Sequence, residues 1–328
     1  DLAMKLMLGP EGHVAEGSTW DEEPLARRFL DEAKITAQLD HPGVVPVHEL
    51  GADEDGRVFF TMKTVQGKTL QQVFEAAWED DPAWPRNRVL RIFVRVLETL
   101  AFAHEKGVVP RDLKPANVMV GDFGEVYVMD WGLAKVMGSG TTDAPPPMEG
   151  ASGSLPADPR LTAVGQVLGT PAYMAPEQAR SEPLDGRADV YAVGAMLYEF
   201  VCRRHAYAAA AGSTLPHRIV LDLLRGPPIA LSELAPQTPA ELAAIIHKAM
   251  ARRPQDRYTS ALEFAGDLTN CIEGRVVEAH STWSWTAFRK WVSRNGALAA
   301  ALGAALLFLS AGFITATSFG LRAKGESE

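Results

Sequence analysis

The chain has 328 residues, 47% hydrophobic and 22% charged, enough for one two-lobed domain or two ordinary domains. A net charge of −9 with no basic patch argues against nucleic acid as a partner. Cys202 and Cys271 are too few for a disulfide framework and lack metal-site spacing, so they read as reduced thiols of a cytosolic domain.

Leu2 to Leu8 reads as a strand carrying Lys5. The chain opens directly on it at Asp1, without Met, as a fragment of a longer protein would. Asp21-Glu22-Glu23-Pro24 predicts a helix start, with acids in the first turn and Pro near its first position. Leu25, Phe29, Glu32, Thr36 and Leu39 follow at helical steps, which puts Glu32 on the inward stripe. A carboxylate there needs a partner, because an unpaired buried charge is strongly destabilising. Lys5 is the candidate, although on the helix alone a solvated Glu32 fits equally well. After His41-Pro42-Gly43, Val44 to Leu50 and Val58 to Thr64 read as strands around a turn at Asp53 to Gly56. Arg86 to Lys106 reads as a helix with an apolar stripe of Val89, Ile92, Phe93, Val96, Leu97 and Leu100.

Arg111-Asp112-Leu113-Lys114-Pro115-Ala116-Asn117 cannot continue as helix through Pro115 and forms a short polar loop. It offers what transfer of a phosphoryl group to a hydroxyl requires. Asp112 can accept or orient the hydroxyl proton, Lys114 can stabilise charge on the moving phosphate, and Asn117 can hold a metal. Asp130, in Asp130-Trp131-Gly132, supplies a hard oxygen ligand for Mg²⁺. A decoy lies between, at Asp122-Phe123-Gly124. Val118 to Val120 and Glu125 to Met129 read as strands joined by a turn at Gly121 to Gly124, so Asp122 points away while Asp130 returns to the loop.

Gly138 to Arg160 is rich in Gly, Ser, Pro and Thr and reads as a flexible loop. Asp189 opens a segment, Val190 to Val201, that is apolar almost all round and central to its domain; an Asp at a helix start can accept backbone N–H bonds. Ala297 to Phe319 carries no charge over 23 residues. Such a run reaches about 35 Å as a helix, against a hydrocarbon core of about 30 Å. Trp283, Trp285 and Trp291, with Arg289, Lys290 and Arg294, precede it like an interfacial belt.

The loop Arg111 to Asn117 with Asp130-Trp131-Gly132 resembles the catalytic loop and metal-binding Asp of the protein kinase superfamily, and Lys114 follows the Ser/Thr pattern. Gly169-Thr170-Pro171-Ala172-Tyr173-Met174-Ala175-Pro176-Glu177 resembles the substrate-facing end of a Ser/Thr kinase activation segment. With the C-terminal span, the wording looks most like bacterial membrane-anchored Ser/Thr kinases. The resemblance implies an α+β, two-lobed kinase fold over residues 1–272, with a partial β-rich N-lobe at 1–64, a mainly helical C-lobe at 66–272 and an activation segment at 130–177. A juxtamembrane segment at 273–296, a transmembrane helix at 297–319 and the start of an extracytoplasmic part at 320–328 would follow.

The same resemblance implies site roles. Lys5, paired with Glu32, would hold the ATP α- and β-phosphates, Met62 would be the gatekeeper, and the Lys63 and Val65 backbone would face adenine. Thr170 would bond Asp112 and Lys114, Asp189 would hold the catalytic loop, and Glu177 would pair with Arg257. Asn117 and Asp130 would ligate Mg²⁺. Arg111 would receive an activating phosphate, with Thr162 as the preferred acceptor and Thr141, Thr142, Ser152 and Ser154 behind it. The expected function is transfer of phosphate from ATP to protein Ser/Thr hydroxyls in membrane-linked signalling. The kinase domain would be cytoplasmic, lipid would surround the span, and Ala297, Ala301 and Ala305 would let two copies associate for phosphorylation in trans.

Three departures stand out. No glycine-rich phosphate loop precedes Lys5 or appears elsewhere, Pro110 stands where most kinases have His, and Trp131 replaces Phe. These keep a second reading open, a pseudokinase that binds nucleotide or partners without transfer. Lys5, Glu32, Asp112, Lys114, Asn117, Asp130 and Asp189 are all present, which favours the enzyme.

Overall fold

The computed structural model describes residues 2–7, 24–54, 57–131, 134–136, 170–207 and 216–280. Strands β1 (Leu2–Leu6), β2 (Val47–Ala52) and β3 (Val58–Lys63) form an antiparallel sheet in the order β1-β3-β2. Lys5 lies opposite Phe60 and Ala3 opposite Met62. Because side chains alternate along a strand, Lys5, Phe60 and Met62 share one face. Helix α1 (Pro24–Gln38) packs there, with Phe29 5.0 Å from Phe60 between ring centroids. Pro24 starts the helix, as its fixed φ suits, but no acid falls in the first turn; Asp21 to Glu23 lie outside the described residues.

The predicted strand at Val44 begins later, at Val47. Val44 instead bridges Val128 in parallel, and the Val128 N–H donates to the Gly43 carbonyl at 2.8 Å. A Cβ on Gly43 would collide with Thr99 Oγ1, so only glycine lets this loop sit so close to the lower lobe.

Past Val65, β4 (Gly67–Thr69) runs into α2 (Leu70–Trp78), a helix the sequence reading passed over. Its signal was present: the Thr69 hydroxyl accepts the Gln72 N–H at 3.2 Å, and the Gln72 side chain accepts the Thr69 N–H at 2.9 Å. Next come α3 (Arg86–Glu105), β5 (Val108–Val109), β6 (Val118–Gly121), β7 (Val126–Val128) and β8 (Lys135–Val136). The helical part follows with α4 (Pro176–Ala179), α5 (Arg187–Cys202), α6 (Pro216–Arg225), α7 (Leu231–Leu234), α8 (Ala240–Ala249) and α9 (Ala261–Ile272). Strands β4, β6 and β7 make a second antiparallel sheet under the first.

All six predicted stripe residues of α3 are buried, each contributing roughly 1.5–3 kcal/mol. Helix α5 is buried on every side from Ala188 to Phe200 and forms the centre of the lower lobe. Cys202 and Cys271 remain thiols. Among the described residues no helix is long and apolar enough to cross a membrane; the run at 297–319 lies outside them.

Candidate active site

The catalytic-loop residues enter from β5 through a buried Pro110. Arg111 follows with φ 70°, a left-handed conformation that costs an L residue about 1–2 kcal/mol. Two side chains hold it there. Asp189 Oδ1 accepts the Arg111 N–H at 3.3 Å, and Gln178 Nε2 donates to the Arg111 carbonyl at 2.9 Å. Asp189 sits in the first turn of α5 and is almost wholly buried; its other oxygen meets His104 Nε2 at 2.7 Å. Asp189 therefore serves the loop rather than its own helix end, where Gly186 is the N-cap.

Asp112 is fixed at both carboxylate oxygens. Lys114 Nζ donates to Oδ2 at 2.9 Å, and the backbone N–H of Thr170 donates to Oδ1 at 2.8 Å. Thr170 was expected to bond Lys114 as well. Its backbone N–H reaches Asp112, and among the described residues it makes no bond to Lys114, since an N–H cannot donate to an ammonium. Asn117 Nδ2 donates to the Asp112 carbonyl at 3.1 Å, which commits the amide nitrogen and leaves the amide oxygen as the group to face a cation.

The decoy and the returning Asp separate cleanly. Asp122 is exposed at the tip of the β6–β7 hairpin, closed by a Gly124 N–H to Gly121 carbonyl bond of 3.0 Å with Gly124 at φ 90°. Beyond β7, the Met129 N–H donates to the Asn117 carbonyl at 2.7 Å and carries Asp130 back to the loop. The Asp130 carboxylate lies 3.7 Å from Lys5 Nζ. One carboxylate and one amide oxygen suit Mg²⁺, which takes few protein ligands and completes its shell with water and substrate phosphates.

Lys5 Nζ is 2.5 Å from Glu32 Oε1, and this pair borders a cavity of about 180 Å³ lined also by Phe60, Met62, Val128, Asp130 and Trp131. Burial pushes the Glu32 carboxyl above its ordinary value, with the Lys5 hydrogen bond and charge acting against it. Trp131 fills its place without an orphaned donor: the indole N–H donates to the Val128 carbonyl at 3.2 Å. Lys63, next to Met62, spans to the lower lobe, its Nζ 3.2 Å from Tyr127 OH. Val65 lies between β3 and β4 at the join of the lobes.

Below the loop, Arg257 clasps Glu177 through two bonds of 2.6 and 2.7 Å, fully removed from solvent. Arg111 Nε is buried without a hydrogen-bond partner, and burial lowers the affinity of that guanidinium for its proton while Asp189 opposes the shift. Thr162, Thr141, Thr142, Ser152 and Ser154 lie outside the described residues. Sequence reasoning missed His104 and Gln178. Neither carries a local signal, since their partners are 85 and 67 positions away.

A two-lobed fold with a lysine–glutamate pair, an Asp130 carboxylate 3.7 Å from that lysine and a doubly held Asp112 is the architecture of a protein kinase. The protein kinase domain family matches residues 14–268, and the chain belongs to that family. The match starts after β1, so Lys5 rests on its geometry with Glu32. Serine/threonine-protein kinase PknD of Chlamydia abortus is 35% identical over 269 residues, 77% of this chain and 27% of that protein. A probable serine/threonine-protein kinase of Streptomyces coelicolor is 34% identical over 256 residues, 77% of this chain and 34% of its own length. The chain thus spans roughly a quarter to a third of the curated relatives it matches. The crystal structure of the Mycobacterium tuberculosis PknI kinase domain is similar with a TM-score of 0.54 and 25% identity, covering 82% of this chain and 84% of that one.

Proposed function

We propose that this chain transfers the γ-phosphoryl group of ATP to Ser or Thr hydroxyls of proteins. The observation that carries the reading is Asp112, held at both carboxylate oxygens on a loop to which the Met129 N–H to Asn117 carbonyl bond ties the strand that ends at Asp130. Asp112 takes the hydroxyl proton as the hydroxyl oxygen bonds the γ-phosphorus; the bond from phosphorus to the bridging oxygen breaks and ADP leaves with the electron pair. Lys114 stabilises charge on the moving group, and Lys5, steadied by Glu32, orients the α- and β-phosphates. Mg²⁺, held by Asn117 and Asp130, would neutralise the phosphate charge. Met62 lines the cavity beside Lys5 and Glu32, and the Lys63 and Val65 backbone would face adenine.

The wider setting we propose is a membrane-linked signalling protein, with the kinase domain at 1–272 on the cytoplasmic side and the apolar run at 297–319 as a single span in lipid. Two spans in contact would favour phosphorylation in trans. The buried, unpartnered Arg111 Nε supports a phosphate acceptor in the activation segment, Thr162 first among them.

The test is phosphate incorporation by the full chain. Asp112→Asn should lower transfer by roughly 10²–10⁴-fold while ATP still binds. Unchanged autophosphorylation in that variant would falsify the assignment, and nucleotide binding without transfer by the parent would favour the pseudokinase. Mass spectrometry of active protein should find phosphate between Ser139 and Thr170, and protease protection in membrane vesicles should leave the kinase domain on the cytoplasmic side.

A further inference from the structure

Asp112 is gripped from two sides by one stretch of chain. At one end the Thr170 N–H donates to Asp112 Oδ1 at 2.8 Å. At the other, Gln178 Nε2 donates at 2.9 Å to the Arg111 carbonyl, the oxygen of the peptide that leads straight into Asp112. That peptide needs holding. Arg111 is left-handed at φ 70°, a conformation an L side chain keeps only when its surroundings impose it. Pro110 carries no N–H and so offers no backbone donor one residue earlier. The restraint therefore falls on the two polar groups of Arg111 itself, its N–H on Asp189 and its carbonyl on Gln178.

Gln178 is well placed for this. It follows Glu177, whose doubly bonded, solvent-excluded pair with Arg257 fixes α4, and its own side chain is half-buried. A rigid neighbour lets a single neutral hydrogen bond act as a spacer. We propose that Gln178 is a positioning residue for phosphoryl transfer, which with Thr170 makes residues 170–178 a two-point clamp that aims the Asp112 carboxylate. The stretch that faces the substrate would then also set the group that receives its proton. This rests on the reading of Asp112 given above.

Gln178→Met keeps length and packing but removes the donor, and Gln178→Glu turns an acceptor toward the carbonyl. In the full chain, Met should lower kcat by about tenfold and Glu by more, with KM for ATP within about twofold of the parent and melting unchanged. Amide hydrogen exchange should rise in peptides covering 110–117 and stay constant in α5. A Met variant with kcat within about twofold of the parent and unchanged exchange overturns the clamp. Early melting with exchange raised throughout the lower lobe overturns it too, since Gln178 would then be only structural. If the parent transfers no phosphate, the reading of function fails, while the exchange comparison still decides whether Gln178 holds the loop.

Discussion

Two ion pairs, one lining the cleft and one buried beneath the catalytic loop's Gln178 support, are built for different work. Glu177 and Arg257 are joined by two bonds, with side chains 5% and 0% exposed, and Arg257 also donates to the carbonyls of Ala251 and Arg187. Lys5 and Glu32 share one bond; Lys5 is 39% exposed and also faces Asp130. In the first pair every donor is spent inside the protein, so the pair can only hold. In the second the ammonium keeps open directions and can turn to phosphate while Glu32 steadies it. A site needs both kinds, a fixed floor and a cation with unspent donors.

The largest effect should come from breaking the fixed pair. Arg257→Ala leaves Glu177 as a lone buried charge and should cost about 3–5 kcal/mol of stability by chemical denaturation. A loss below about 1 kcal/mol would mean that the pair is not the floor of the site. For the mobile pair the ranking reverses. Lys5→Met should cut transfer by roughly 10²-fold at a smaller cost in stability than Arg257→Ala, because Lys5 is 39% exposed and the buried Glu32, its carboxyl already pushed up by burial, can take up a proton once its partner is gone.

Acid should separate the pairs next. The folded-state pKa of Glu32 is raised, so its proton binds at a higher pH than in an ordinary glutamate, and the ion pair with Lys5 is lost first as pH falls. Between the ordinary and raised values the folded state holds more protons than the unfolded chain. The Glu32 contribution to stability is thus fully present below the unfolded value and lost as pH rises through the folded one. Acidification through that window should therefore lower the transfer rate without unfolding the protein, and Glu32→Gln should remove that limb of the pH profile. Activity and melting falling together at one pH would contradict the separation.

The smallest effect is expected at the decoy. Asp130→Ala should abolish Mg²⁺-dependent nucleotide binding, whereas Asp122→Ala, on an exposed hairpin tip, should cost under about 1 kcal/mol and leave binding intact. Calorimetric titration of nucleotide with and without Mg²⁺ distinguishes the two. Equal loss in both would mean that the metal lies elsewhere.

The two Asp-x-Gly tripeptides also show what was legible. Placing Asp122 in a turn needed only local patterning, two short β-rich runs around Gly-containing punctuation, and the hairpin sits there. The stripe of α3 and the all-apolar α5 were legible for the same reason, since a 3.6-residue period reports which face meets the core. Helix α2 went unread despite its Thr69 to Gln72 capping box, hidden within what read as a link between lobes. Thr170 was placed beside Asp112, but its donor is the backbone N–H, and backbone direction follows from how the segment enters the site rather than from the side chain.

By itself, the sequence determined the helix periods, the hairpin and the spacing of Asp112, Lys114, Asn117 and Asp130, because each depends on neighbours within a turn or a strand. The tertiary structure alone decided whom Glu32, Glu177 and Gln178 would meet, across 27, 80 and 67 positions of chain. It also decided that Arg111 would be left-handed and that His104 would face Asp189. The physical reason is that hydrogen bonds and ion pairs are short-ranged and directional. A sequence can state which groups need partners, but only the packed helices and sheets bring a particular donor within 3 Å or so of a particular acceptor.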